Sequence, residues 1–143
     1  MSHWQTGKLD LICSLNILRK ALINLMPEWE EHIQIDENGG LSASFHEKPV
    51  KEKYQIVVPG SNREIPKLYN DIAMTRTKDG SWTLGGDYSI NTLKKKLTGE
   101  VMRMRAIAIA QIRGYDVVRN ENNETENITE IRVDVEQAKE LLA

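Results

Sequence analysis

The architecture is decided by residues 69–113, which read YNDIAMTRTKDGSWTLGGDYSINTLKKKLTGEVMRMRAIAIAQIR. The first part holds two strand-like runs, 69–77 and 81–87, separated by an Asp-Gly pair, which is a strong signal for a tight hairpin turn. The second part, 90–113, repeats apolar residues at helical spacing, and Gly114 follows it as a typical helix-ending residue. This stretch therefore predicts an antiparallel hairpin followed by one long helix.

The flanking sequence predicts a shorter helix and several more strands. Ser14 is a suitable N-cap, and apolar residues recur at helical spacing up to Pro27, where the first helix should stop. The segments with alternating or β-prone composition are predicted strands, and they are 2–12, 32–36, 41–45, 54–58, 115–119 and 128–135. The turn at 38–40 favours pairing of 41–45 with 32–36. The remaining segments are interpreted as a charged connection (48–53), a loop (60–68) and a short terminal helix (136–143).

This order of elements, β-α-β-β-β-β-β-α-β-β, predicts the α+β class. Two main helices are expected to pack against one mostly antiparallel sheet. The length of 143 residues suits a single domain spanning 1–143, large enough to bury a core without disulfides or metal.

Composition narrows the classes of function. A net charge of −2 gives no overall attraction to nucleic acid or to an anionic membrane. Cys13 is the single cysteine, which excludes an intramolecular disulfide and any site with several cysteine ligands. No apolar run approaches the ~18 residues that span a bilayer, and the N-terminus lacks the plan of a signal peptide. We therefore expect a cytoplasmic protein with no membrane partner.

Four stretches carry a resemblance to a known family. They are Met-Ser-His-Trp at 1–4, Leu-Arg-Lys-Ala-Leu at 18–22, Tyr-Asn-Asp-Ile-Ala-Met at 69–74 with Asp-Gly at 79–80, and Ala-Gln-Ile-Arg-Gly-Tyr-Asp-Val-Val at 110–118. Together they resemble the uncharacterised plastid open-reading-frame family numbered thirty-five, whose relatives occur in cyanobacteria and other bacteria. Trp4 departs from the family's usual Phe, and 36–68 matches no part of its pattern. The resemblance implies an α+β domain of this length, and the plastid stroma if the gene is plastid-encoded. It implies no activity, cofactor or catalytic residue.

A cluster of cations at the start of the long helix is a candidate anion site. Lys94, Lys95 and Lys96 lie in its first turns, where positive charge opposes the helix dipole. Arg103 and Arg113 fall on much the same side. Two interpretations stay open: a basic strip that meets phosphate, nucleic acid or an acidic protein, and a charged helix end in water.

A second apolar face on the same helix is a candidate interaction surface, and its members are Met102, Ala106, Ile109 and Ala110. From Val101 to Ile112 the helix is apolar nearly all round, which indicates burial on two sides. The cover is either the terminal segment with Leu141 and Leu142 or a partner chain. Trp29 lies in a polar setting, so we expect it to be the most exposed tryptophan and a partner-binding residue.

No catalytic or metal-binding constellation is visible in the sequence. His3, His32 and His46 fit no zinc spacing, and 59–63 fits neither phosphate-loop pattern. No cofactor is therefore predicted. The leading hypothesis is a non-enzymatic accessory protein that acts in a complex or as a homo-oligomer. The alternatives are a nucleic-acid or nucleotide-phosphate binder that uses the basic strip, and a small enzyme whose site is assembled from distant segments.

Overall fold

The computed structural model describes residues 3–112. Its helices and strands are β1 (Gln5–Leu9), α1 (Leu15–Leu25), β2 (Gln34–Ile35), β3 (Leu41–Phe45), β4 (Lys48–Tyr54), β5 (Ile56–Val58), β6 (Ile72–Arg76), β7 (Trp82–Gly86) and α2 (Ile90–Ile112). Short 3-10 turns occupy Pro27–Trp29 and Gly60–Asn62. The α+β prediction of two helices on a mostly antiparallel sheet is confirmed. The strands predicted at 115–119 and 128–135, the terminal helix at 136–143 and Gly114 lie outside the described residues.

The strands form two antiparallel sheets. Five of them pair in the order β1-β7-β6-β5-β2, and β3 pairs with β4 in a separate hairpin. The predicted hairpin is β6 and β7, with Thr75 opposite Thr83. Gly80 takes φ +89° at its turn, a conformation that glycine adopts without steric cost. Local turn chemistry thus decides the pairing at the centre of the larger sheet.

The described structure has three layers. Along β5, Ile56 and Val58 face a core shared with both helices, whereas Val57 faces the β3–β4 hairpin with Ala73 and Tyr54. The alternation follows from the two-residue period of a strand. Both faces of the central strands are covered, so β5 is apolar throughout.

The first helix is held at its start and along one face. The Ser14 hydroxyl accepts a hydrogen bond from the Ile17 amide at 3.2 Å, which confirms the predicted N-cap. One stripe of α1 is buried: Ile17, Leu18, Ala21 and Leu22. The indole of Trp82 donates to the Cys13 carbonyl at 3.0 Å and ties β7 to the start of this helix.

The structure corrects the assignments of two segments. The segment 48–53, interpreted as a connection, belongs to β4, which pairs with β3, while β2 pairs with β5 instead. Most residues of β4 are exposed, and several of them are charged. The hairpin therefore covers the larger sheet with only a few apolar side chains. The strand predicted over 69–77 begins only at Ile72, because Asn70 and Asp71 make side-chain hydrogen bonds outside the sheet.

Candidate functional site

Trp29 is buried, and the prediction that it is the most exposed tryptophan is wrong. Its residue surface is 5% exposed, because the Pro27–Trp29 turn folds the chain back at the end of α1. The Trp29 amide donates to the Met26 carbonyl at 2.9 Å, which closes that turn. The polar neighbours Glu28 and Glu30 remain in water. The small exposed part of the Trp29 side chain lines a groove.

This apolar groove, of about 360 Å³, runs between the end of α1 and the start of α2. Its apolar lining comes from segments distant in sequence, namely Leu25, Met26, Trp29, Leu68, Ile72 and Leu93. Tyr88, which is highly exposed, stands at its side. The groove is therefore a concave apolar surface open to solvent.

Two lysines, Lys67 and Lys96, also line the apolar groove. Both are exposed, and neither has an ion-pair partner within residues 3–112. No carboxylate belongs to the lining, so its formal charge is positive. Trp29, a predicted partner-binding residue, and Lys96, a predicted anion-binding residue, thus line the same groove.

The four predicted anion-binding residues occupy different settings. Lys94 is half-buried over β1, where a Cβ added to Gly7 would lie 3.2 Å from the Lys94 Cδ. Lys95 and Lys96 are exposed. Arg103 instead donates two hydrogen bonds, of 3.0 and 2.7 Å, to the buried carboxylate of Glu100.

Glu100 and Arg103 form part of the contact between the helices. Glu100 Oε2 also accepts from the Asn24 amide at 2.8 Å, so this carboxylate bridges α1 and α2. Because a buried carboxylate needs a compensating cation, Arg103 has a structural task that Lys95 and Lys96 lack. Arg113 lies outside the described part of the chain.

The predicted interaction face lies on the outer side of α2, away from the groove end. Met102, Ala106 and Ile109 are exposed, and Ala110 is partly so. The proposed intrachain cover, Leu141 and Leu142, falls beyond residue 112 and outside the described range. Coverage of this face by a partner stays a prediction.

A second concavity, the polar cleft, has a volume of about 410 Å³ and shares no lining residue with the apolar groove. It is lined by His46, Glu47, Ser61, Arg63, Tyr69 and Asn70. These residues come from the β3–β4 turn, the Gly60–Asn62 turn and the segment that precedes β6. The cleft thus has five polar or cationic side chains and one carboxylate.

The buried side chains of Asp71 and Asn70, with the half-buried carboxylate of Asp87, hold the walls of the polar cleft in place. Asp71, 4% exposed, accepts hydrogen bonds from the amides of Ser44 and Ser61 and from the Ser61 hydroxyl, at 2.8, 3.0 and 2.6 Å. Asn70 accepts from the His46 amide at 3.3 Å and donates to Asp87 at 3.4 Å. Burial raises the pKa of Asp87, but hydrogen bonds from Ser89 and Asn70 outweigh it, so the pKa is lowered overall.

The backbone is strained around this cleft. Positive φ angles occur at four non-glycine residues of the described chain, and three of them, His46 (51°), Glu47 (66°) and Arg63 (63°), line the cleft. His46 and Glu47 are the two central residues of the β3–β4 turn, where Asn-Gly is the favoured pair. Such conformations cost of order 1 kcal/mol or more each and concentrate at functional sites.

Neither concavity was identified from the sequence. For the polar cleft, one unusual feature is the turn formed by His46 and Glu47. Such two-residue turns favour asparagine and glycine. The charged composition of 48–53 conceals the position of that turn, because it is more typical of a connection than of a strand. Within residues 3–112, no group of three histidine, cysteine, aspartate or glutamate side chains is placed to hold a metal ion. In the same range, no helix is long and apolar enough to cross a membrane.

Comparison of the chain with family models, with curated proteins and with solved structures finds no match. The resemblance to the plastid family therefore stays a prediction.

Proposed function

We propose that this protein is a non-enzymatic accessory protein that binds an acidic segment of a partner protein in the apolar groove. An apolar side chain of the partner enters the groove over Trp29, and neighbouring carboxylates face Lys67 and Lys96. The observation that carries the proposal is the combination of an apolar groove with two lysines that have no ion-pair partner within the described residues.

The shape of the groove favours a protein segment over a small molecule. Small-molecule sites typically bury most of the ligand, about 70–90% of its surface. The groove opens to solvent, so a small ligand held there would keep part of its surface in water. An apolar anchor that belongs to a larger interface is instead shielded by the contacts around it. Tyr88 and Lys96 stand where such surrounding contacts would form.

The charge of the groove favours an acidic partner. Lys67 and Lys96 are exposed, so each pairing with a carboxylate contributes modestly, about 0.5 kcal/mol. Their larger effect is on discrimination, because a basic segment would meet two like charges at the same place. We therefore expect the two lysines to raise the affinity for acidic segments only modestly. Their effect on the ratio of affinities for acidic and basic segments should be larger.

The proposal is tested by selecting short random peptides on the protein and measuring the selected peptides by fluorescence anisotropy. We expect them to carry an aromatic or aliphatic anchor flanked by Asp or Glu. The double variant Lys67→Glu/Lys96→Glu should weaken their binding about tenfold and favour lysine-flanked versions of the same peptides. The matched control, Lys48→Glu/Lys51→Glu, reverses two exposed charges on β4 and should leave binding unchanged.

Two outcomes would contradict the proposal. One is a selected set without acidic residues, and the other is binding that responds equally to the groove variant and the β4 control. Direct binding of a medium-chain fatty acid, with no peptide selected, would assign the groove to a lipid instead.

A further inference from the structure

We infer that the polar cleft is a binding site for a polyhydroxylated phosphate monoester, the chemistry shared by sugar phosphates and nucleotides. The cleft is separate from the apolar groove, so this inference stands independently of the proposed function. It rests on the arrangement of donors and acceptors in the cleft and on the way its walls are held.

Arg63 supplies the contact to the phosphate. It is exposed and lines the cleft, and it has no ion-pair partner among the residues that the structure describes. Guanidinium groups bind phosphate oxygens with two parallel hydrogen bonds, which makes arginine the preferred residue for such ligands. His46 and the hydroxyl of Tyr69 add donors in the same cleft.

The acceptors in the cleft match hydroxyl groups on the ligand. Ser61 gives its hydroxyl proton to Asp71 at 2.6 Å, so its oxygen can accept a hydrogen bond from the ligand. Glu47 accepts from sugar hydroxyls, as carboxylates do in nucleotide sites. Its charge opposes the phosphate group of any such ligand, and only an ester that carries hydroxyls offsets this with hydrogen bonds to Glu47. The cleft should therefore prefer an ester that carries hydroxyls over inorganic phosphate.

The walls are organised before any ligand binds. Asp71 ties the Gly60–Asn62 turn to β3, and Asn70 holds the backbone of His46. Tyr69, 68% exposed, presents an aromatic face on which a sugar or a base can pack. Because the backbone of these walls is already held, the conformational entropy lost on binding is confined to the exposed side chains.

The test is an amide-resolved NMR titration of the full chain with ribose 5-phosphate, adenosine monophosphate, ribose and inorganic phosphate. We expect both esters to shift the amides of Ser61, Tyr69 and Asn70, with weaker binding of inorganic phosphate and of ribose. Tighter binding of adenosine monophosphate than of ribose 5-phosphate would identify a nucleotide as the source, and equal binding would identify the sugar phosphate.

The first variant for this test is Arg63→Gln, which should weaken ester binding about tenfold or more. Its matched control is Lys51→Gln, since Lys51 is an exposed cation on β4 that lines neither the cleft nor the groove. The control should bind the ester within about twofold of the wild type.

A second variant separates binding from folding. His46→Asn/Glu47→Gly places the favoured pair in the β3–β4 turn, so it should raise the melting temperature while it abolishes ester binding. The inference is overturned if neither ester shifts the cleft amides, or if inorganic phosphate binds as tightly as the esters. Ester binding that survives the turn variant unchanged would overturn it as well.

Discussion

Gly99 lies in the middle of α2 on its exposed side, and Gly99→Ala should stabilise the protein. A Cβ built at this position meets no atom within 4 Å, and its φ is not positive, so alanine fits without strain. Glycine in a helix interior costs about 0.5–1 kcal/mol relative to alanine, mainly through the conformational entropy of the unfolded chain. We expect the free energy of unfolding to rise by about 0.8 kcal/mol.

The same figure predicts the thermal shift. The entropy of unfolding is about 2.1 cal/mol/K per residue, or about 0.3 kcal/mol/K for 143 residues. The melting temperature should therefore rise by about 3 °C. Circular dichroism during heating measures this shift, and urea denaturation with an unchanged m-value checks that the gain is in stability alone.

The matched control is Gly60→Ala, the same chemical change where the structure leaves no room. Its Cβ would lie 2.4 Å from the Asn70 carbonyl oxygen and 2.4 Å from the Leu68 Cγ. Since a backbone oxygen cannot rotate away, we expect a loss of about 1–3 kcal/mol. A melting temperature that falls in Gly99→Ala would refute the reasoning, because it would show that the outer side of α2 is covered in solution.

Two further predictions concern aspartates that accept hydrogen bonds from several neighbouring groups. Asp71→Ala leaves the amides of Ser44 and Ser61 without their acceptor, so unfolding in urea should show a loss of about 3 kcal/mol, and a loss below 1 kcal/mol would contradict the assigned network. Hydrogen bonds from Ser81, Thr77 and Lys8 lower the pKa of Asp79, so its stabilisation is present above pH about 4 and is lost as the pH falls. The melting temperature of Asp79→Asn should therefore depend less on pH below about 4 than that of the wild type, and parallel profiles would refute this.

Features that depend on neighbouring residues were predictable from the sequence. The Asp-Gly turn needs only its own backbone geometry and two β-prone flanks, and it gives the β6–β7 hairpin. The Ser14 cap satisfies an amide three residues away. These interactions are short-range, so residue type and spacing are enough to recognise them.

The errors came from residues whose surroundings are distant in sequence. Trp29 has polar neighbours along the chain, yet a turn places it in the core beneath Leu68 and Leu93. The charged composition of 48–53 concealed β4, because that strand pairs with β3 and buries few of its residues. The composition of a segment does not indicate whether other segments bury it or pair with it, since those segments lie elsewhere in the sequence.

The sequence by itself determined the α+β class, the central hairpin, the first helix with its cap and the long second helix, because local hydrogen bonding and hydrophobic periodicity specify each of them. The tertiary structure decided the functional surfaces. The apolar groove needs α1, the loop before β6 and α2. The polar cleft needs the β3–β4 turn and the Gly60–Asn62 turn, and Asp71 ties the second of these to β3. Their physical basis is the packing of distant segments, which brings Trp29 to Lys96 and His46 to Arg63 without any trace in their spacing along the chain.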